Sequence, residues 1–348
     1  MQHLLFYLSI IVVLFTLIPL VRHDYWIFRV FEYPRLQKLV LNIILLAINF
    51  YFMPTDMVHQ ITLAVLALNL GYLVYQVFPF TALGSKQIIS AKRPKGNDNI
   101  SLLIANVYQD NRQSESYLKL IEQCDPDVVL LVETDKWWQD QIDVISDRYP
   151  HQLKIPLENT YGMIFYSRLE LRNGAINFLV EDDIPSIEGE VQLKSGQWVR
   201  LYGLHPQPPV PQENPRSTAR DKEILIVAEK AKKSSLPVIV MGDLNDVAWS
   251  YTTELFGKVS GLLDPRRGRG FFNSFHAKYF FLRFPLDHIF CSADFTLSGI
   301  SRMNNCGSDH FPMWINLQYD PPAEKLNNKP EADGDDLALA NQKMQAST

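Results

Sequence analysis

Cysteine is scarce in this chain, with only Cys124, Cys291 and Cys306 among 348 residues. An odd count, with no CxxC and no Cys/His metal spacing, argues against a disulfide framework and against a zinc site. A basic excess is also missing. The formal net charge of -5 removes any global electrostatic case for a polyanion partner, while leaving room for a local basic patch. There is no internal repeat. Between Leu4 and Val21 there is no charged side chain at all. No basic segment precedes that run and no clear small-residue cleavage site follows it, so a cleaved signal peptide is the poorer reading.

The apolar fraction of 47% is ordinary, and what stands out is its concentration at the front of the chain. Three apolar runs, Leu4 to Val21, Leu39 to Met53 and Met57 to Phe80, approach the ~20 residues that carry a helix across a bilayer core about 30 Å thick. The middle run is the marginal one. Between the first two lies "YWIFRVFEY", whose Tyr, Trp and Phe suit the headgroup zone. Arg22, Arg29, Arg35 and Lys38 flank that loop, and Lys86, Lys92, Arg93 and Lys95 follow the third run. Three crossings place both basic clusters on one side, which the positive-inside rule makes the cytoplasm. The expected organisation is a membrane anchor over 1–80, a linker over 81–98, a strand-rich catalytic domain over 99–319 and a Pro-, Asn- and Asp-rich disordered tail over 320–348.

Within 99–319 the hydrophobic period changes. "ISLLIANVY", "PDVVLLVE", "YGMIFYS", "EVQLKSGQWVRLYGLHP", "PVIVMGD", "LDHIFCS" and "HFPMWINLQY" read as strands, with a hairpin turn at Ser195-Gly196. "SESYLKLIEQC" places Tyr117, Leu120, Ile121 and Cys124 on one helical face; a longer helix is expected over about Asn214 to Lys233 and a short one near Tyr251 to Lys258. Most strand pairs have no helix between them. That pattern disfavours an all-parallel doubly wound sheet and fits two sheets packed face to face with helices outside.

Polar residues recur at or just past the expected C-terminal ends of these strands. They are Asn106, Glu133, His205, the pair Asp243 and Asn245, Asp287, and the pair Asp309 and His310. A lone Asp or His at such a place is ordinarily a cap or a satisfied structural residue. Six such coincidences in one domain are harder to assign to turns.

The ordered pieces "GDLN", "LDHIF" and "GSDHFP", supported by "LLVET" and "HPQPP", resemble the endonuclease/exonuclease/phosphatase superfamily over roughly Ser101 to Leu317. The resemblance implies a four-layer α/β/β/α sandwich of two mixed sheets with its site on the rim where strand ends converge. It also implies a phosphoesterase, and the apolar front is similar to a membrane-tethered bacterial branch of the group, which would place the protein in the inner membrane. By the resemblance Glu133 is the main ligand of Mg2+ or Mn2+, completed by Asn106 and Asp309 directly or through water; hard cations of this kind take oxygen ligands. His310, held by Asp287, would act as general base or phosphate-polarising group, and Asp243 would orient or deprotonate the attacking water. Asn245 would donate to a nonbridging phosphate oxygen, and His205 would contact the phosphate or protonate the leaving oxygen. The substrate is a phosphate ester of nucleic acid or of a phospholipid headgroup. The abundance of nucleases in the group tilts the reading toward a nuclease; a lipid or inositol-phosphate phosphatase, or a noncatalytic membrane scaffold, is the alternative. No obligate protein partner is implied.

Neighbouring residues have blander readings. Asp246 and Trp249 are expected to cap and pack the following helix. Arg216 and Arg220, four apart, are expected on a solvated helix face. "PRRGRG", Pro265 to Gly270, is expected to be a soluble basic loop, with contact to a polyanion as the lesser reading.

Overall fold

The computed structural model describes residues 2–52, 56–92 and 96–348. Met53, Arg93 and Lys95, used above for the second run and for orientation, lie outside them. The front of the chain is helical: α1 (Gln2–Leu17), a short α2 (Trp26–Arg29), α3 (Arg35–Phe52) and α4 (Met57–Val77). Three stretches here, His3–Val21, Arg35–Phe52 and Met57–Phe80, are long and apolar enough to cross a membrane. Their outward surfaces carry Leu68, Phe50 and Tyr75, while Asn42 and Asn69 face inward. The Asn42 amide donates to the Leu66 carbonyl at 3.0 Å and its oxygen accepts from Asn69 at 2.9 Å, a polar seam of the kind that joins helices in an apolar solvent.

The rest alternates strands and helices: β1 (Asn99–Asn106), α5 (Ser114–Cys124), β2 (Val128–Val132), α6 (Lys136–Ile142), β3 (His151–Ile155), β4 (Met163–Ser167), β5 (Leu171–Asn177), β6 (Ser186–Gln192) and β7 (Trp198–Leu204). There follow α7 (Thr218–Lys233), β8 (Val238–Asp243), α8 (Tyr251–Ser260), β9 (Asp287–Cys291), β10 (Phe295–Arg302), β11 (Met313–Tyr319) and α9 (Gly334–Gln345). One sheet has the order β10-β11-β1-β2-β4-β3 and the other β5-β6-β7-β8-β9. Both are mixed, because β1/β2 and β7/β8 are parallel and their neighbours antiparallel.

Period-two alternation explains why these strands are buried on both faces. Leu102, Ile104, Val128 and Leu130 meet Leu201, Ile239, Met241 and Ile289 between the sheets. The alternate residues Leu103, Ala105, Val129 and Leu131 pack under α5 and α6. Val238 and Val240 pack under α7 and α8. The result is the expected α/β arrangement, two mixed sheets clad by helices.

Two expected boundaries dissolve. Within the expected 81–98 linker, Ile88 is fully buried between the sheets and Ser90 bridges to Leu297. The 320–348 tail is not disordered: Pro321–Lys325 forms a 3-10 turn and α9 docks on α7 and α8 through Ala340, Leu337 and Met344. Composition misled there because the few apolar residues of α9 fall on one face, and an Asp333/Asp336 capping box starts the helix.

The loop after α1 is fastened to the sandwich rather than lying free. Trp26 N–H donates to the Pro215 carbonyl at 2.7 Å, and Ser217 N–H to the Asp24 carbonyl at 2.8 Å. Arg29, buried, pairs with Glu32 and with Asp221 on α7.

Candidate active site

Asn106 ends β1 and Asp243 ends β8, one strand from each sheet, and their side chains meet. The Asn106 amide donates to Asp243 Oδ2 at 3.0 Å and to Glu133 Oε1 at 2.7 Å, while its oxygen accepts from the Tyr108 N–H at 2.9 Å. Glu133 follows β2 directly and is turned inward by a left-handed backbone (φ 61). For a residue other than Gly, Asn or Asp that conformation costs about 1–2 kcal/mol, and strain of this kind clusters at functional sites. Gly242 supplies the corresponding freedom beside Asp243. Its φ is 145, and a Cβ there would lie 1.9 Å from the Leu204 carbonyl oxygen.

Asp287 and His310 lie at strand beginnings, not ends. Because β9 and β11 run antiparallel to β8 and β1, their starting residues arrive at the same rim; Asp287 is in register with Asp243. His310 Nδ1 is 2.8 Å from Asp287 Oδ2, and its Nε2 is 3.5 Å from Asp243 Oδ2. His205, just past β7, has Nε2 3.9 Å from the same Asp243 oxygen. Asp243, Asp287 and His310 are close enough to share a cation, and all three are buried. That trio differs from the expected ligands Glu133, Asn106 and Asp309, of which Asn106 and Glu133 adjoin it through hydrogen bonds. Asp309, half-buried, lies close enough for its charge to act on both Glu133 and His310.

Electrostatics follow from burial without a lysine or arginine partner. Among the described residues no lysine or arginine forms an ion pair with Glu133, Asp243 or Asp309. Burial lifts the Glu133 carboxyl to about 7, against the opposing hydrogen bond from Asn106. Asp243 is raised too, by burial first. Burial pushes His205 down to about 4. It also disfavours charge on His310, but the Asp287 and Asp243 carboxylates outweigh it and hold that imidazole up at about 10.

Asn245 has a left-handed backbone (φ 49). One hydrogen of its side-chain amide goes to the Pro206 carbonyl at 3.0 Å, which leaves the other hydrogen for a ligand. Its own carbonyl is gripped twice, by Arg220 Nη1 at 2.7 Å and by the Tyr33 hydroxyl at 2.9 Å. Arg220 is therefore not on a solvated face: it is fully buried between Asp221 and Asp246. Arg216 precedes α7 and pairs with Asp24. The cap of α8 is Ser250 rather than Asp246, which accepts from the Ser250 hydroxyl, and Trp249 packs against Phe80 and Phe271 with its indole bonded to the Glu32 carbonyl rather than on α8. Nor is Pro265 to Gly270 a soluble loop. Arg266 is buried against Asp264 and His288, and Arg269 donates to the Ile88 carbonyl.

Residue-by-residue reading missed several supports. Ser274 accepts the Asp287 and Leu286 N–H groups, and Phe275 lays its ring 5.0 Å from that of His310. Tyr161, 5.4 Å from the His205 ring, hydrogen-bonds Glu213. Nothing in the sequence singles these out, since each comes from a loop without periodic pattern.

Carboxylates, an Asp-backed histidine and asparagine side chains thus meet on the rim of the two sheets. The chain belongs to the Endonuclease/Exonuclease/phosphatase family, a family of phosphoesterase hydrolases, whose profile matches residues 99–310. Among solved structures it is similar to D. rerio TDP2 complexed with single strand DNA product (18% identity, TM-score 0.53), covering 63% of this chain and 99% of that one. The human Nocturnin catalytic domain with bound sulfate is similar at 15% identity and TM-score 0.52, covering 64% and 95%. A Bacteroides vulgatus endonuclease/exonuclease/phosphatase is similar at 14% and 0.52, covering 64% and 99%. At these identities the likeness is one of fold. No curated protein matches the sequence.

Proposed function

We propose that this chain is a membrane-anchored, divalent-metal-dependent phosphoesterase that hydrolyses a phosphodiester or phosphomonoester by in-line attack of water. The observation that carries the proposal is the meeting of Asn106, Glu133 and Asp243 across the two sheets, with the Asp287–His310 pair against Asp243. The donor set fits a hard cation: carboxylate oxygens and no thiolate, with no lysine or arginine paired to Glu133 or Asp243 among the described residues and His310 the charged neighbour of Asp243. Asp287 Oδ1 is also buried with no hydrogen-bond partner. Glu133, with Asn106 and Asp309, would hold Mg2+ or Mn2+, whose contribution is Lewis-acid polarisation of the phosphoryl group.

The remaining roles belong to side chains. Asp243 orients the attacking water and takes its proton. His310, whose ring lies between two carboxylates, keeps its charge and directs Nε2 at a phosphate oxygen, with Asp287 fixing the ring through Nδ1. Asn245 donates its free amide hydrogen to a nonbridging oxygen as charge builds there, a role worth roughly 3 kcal/mol in comparable sites. His205 stays uncharged by burial and is placed to hydrogen-bond the leaving oxygen.

The three apolar helices support a multi-pass anchor with the catalytic domain on the cytoplasmic face, in keeping with the bacterial inner membrane. The loop joining the first two spans is bonded to the catalytic domain, which agrees with three crossings, since an odd number puts both on one side. A reporter fused after Thr348 is expected to read as cytoplasmic, and a periplasmic signal would reverse the orientation. The catalytic proposal is tested with full-length protein in detergent on bis(p-nitrophenyl) phosphate, with Mg2+ and Mn2+ titrated. Metal-dependent release of nitrophenol is expected. Inactivity toward this ester, plasmid, abasic duplex and phospholipid with every metal would overturn it.

A further inference from the structure

The segment 275–284 leaves the site and returns to it. At its base Phe275 and Phe284 are bonded to each other through their backbones, and the Ala277 N–H donates to the Asp309 carbonyl at 2.6 Å. At its tip Phe280–Leu282 form a 3-10 turn capped by Tyr279, and Tyr279, Phe280, Phe281 and Leu282 expose 51%, 77%, 55% and 41% of their surfaces. Four large apolar side chains in a row facing water are costly for a soluble loop.

The tip has a specific neighbour. Gln37, in the first turn of α3, donates its side-chain amide to the Phe281 carbonyl at 2.8 Å. At the base, Tyr33 meets Phe284 edge-on at 5.6 Å, in the aromatic segment between the first two spans. The turn is therefore level with the point where a membrane-spanning stretch begins. Tyr and Phe at that depth have amphipathic or apolar surface to bury among headgroups and upper acyl chains.

The charge around the turn agrees with that placement. Lys278, Arg283 and Arg302 flank it, and among the described residues none of the three forms an ion pair with a carboxylate. The guanidinium groups of Arg283 and Arg302 lie 5.1 and 4.3 Å from the ring centre of Phe311, the residue after His310. Cations beside an apolar tip, next to the phosphate-handling histidine, suit a phosphate whose other end is in a bilayer.

Resting on the phosphoesterase reading above, we propose that the 279–282 turn docks into the bilayer surface that receives α3. The site then opens onto that surface, and the ester hydrolysed is carried by a membrane lipid. In the reaction water adds to phosphorus, the P–O bond to the leaving group breaks, and the leaving oxygen takes up a proton.

The test uses full-length protein reconstituted in phosphatidylcholine vesicles with and without phosphatidylglycerol and phosphatidic acid. Phe280→Trp is expected to add tryptophan quenching by brominated lipid over the wild-type level. The double variant Phe280→Ser/Phe281→Ser is expected to lower release of phosphate or headgroup from vesicle lipid by about tenfold or more. Its hydrolysis of bis(p-nitrophenyl) phosphate should stay at the wild-type rate. No added quenching, equal loss on both substrates, or cleavage of a DNA oligonucleotide with vesicle lipid spared would each overturn the inference while leaving the phosphoesterase reading standing. Absence of soluble-ester hydrolysis in the wild type, with quenching intact, would overturn that reading and the lipid substrate with it.

Discussion

The three apolar N-terminal helices and the sandwich are built as inversions of each other. In α1, α3 and α4 the apolar side chains face outward, with Leu68 and Phe50 76% and 81% exposed, while Asn42, Asn49 and Asn69 are buried. In the sandwich Leu102, Leu130 and Ile239 are fully buried. Both regions nevertheless hide polar groups, and they hide different kinds. Along its helices the anchor hides neutral amides, and its buried cations Arg35 and Lys38 fall in the first turn of α3, at the end of a span. The sandwich hides ions: Arg220, Asp221 and Asp246 in one network and Asp243, Asp287 and His310 in another. A buried charge needs counter-charge or a ligand, and Asp243 and Asp287 share the His310 imidazolium, which leaves net negative charge where an added cation would act.

Substitutions at the two ion clusters should separate catalysis from stability. Asp243→Ala and His310→Ala are each expected to lower kcat by roughly 10²–10⁴ while circular dichroism keeps the folded signature. A rate near wild type for either would remove it from the reaction. Arg220→Ala leaves Asp246 with its main counter-charge gone and should cost ~3–5 kcal/mol in thermal or denaturant unfolding of the catalytic domain. It should also lower kcat, since Arg220 holds the Asn245 carbonyl. Loss of stability with unchanged turnover would show that the grip on Asn245 does not matter.

Acid should act on the sandwich through His288. Burial first, and the Arg266 guanidinium second, push this imidazole from 6.5 down to about 3. A depressed histidine contributes stability that is fully present above its unfolded value and is lost as pH falls from 6.5 toward 3. The unfolding midpoint of the wild type should drop across that window, and His288→Asn should flatten the drop; parallel curves would exclude the residue as a cause. The smallest effect belongs to the anchor. A double-mutant cycle on Asn42 and Asn69 should give a coupling of about 0.6 kcal/mol, at most about 1.7 kcal/mol, because amides in an unfolded membrane chain also find partners. A coupling as large as the Arg220 effect would erase the contrast between the two regions.

What could be read from the sequence divides along the same physical line. Strands with alternating or continuous apolar character announced themselves: "VIVMGD", "VVLLV" and "MIFYS" are strands where expected, and the helix "SESYLKLIEQC" has its expected bounds, Ser114–Cys124. Short edge elements did not. β3 and β5 are half exposed and carry mixed residues, so neither shows a clean period. The rim residues were legible because each is fixed by its own strand and motif, and the structure brings Asn106, Glu133, His205, Asp243, Asp287 and His310 together. Long-range pairing was not legible. Arg220, Arg29 and Arg266 have charges that look solvated in one dimension, and only the partners Asp221, Asp246 and Asp264 explain their burial. The tail failed for a related reason, since Ala340 and Leu337 count as few apolar residues until α7 supplies the surface they cover.

The claim on which the rest depends is that the carboxylates at the rim are completed by a cation. Manganese binding to the metal-stripped full-length protein, followed by electron paramagnetic resonance, tests it without reference to any substrate. Saturation at about one ion per chain is expected, with binding lost in Glu133→Gln and weakened in Asp309→Asn. Absence of saturable binding, or binding that Glu133→Gln leaves intact, would contradict it.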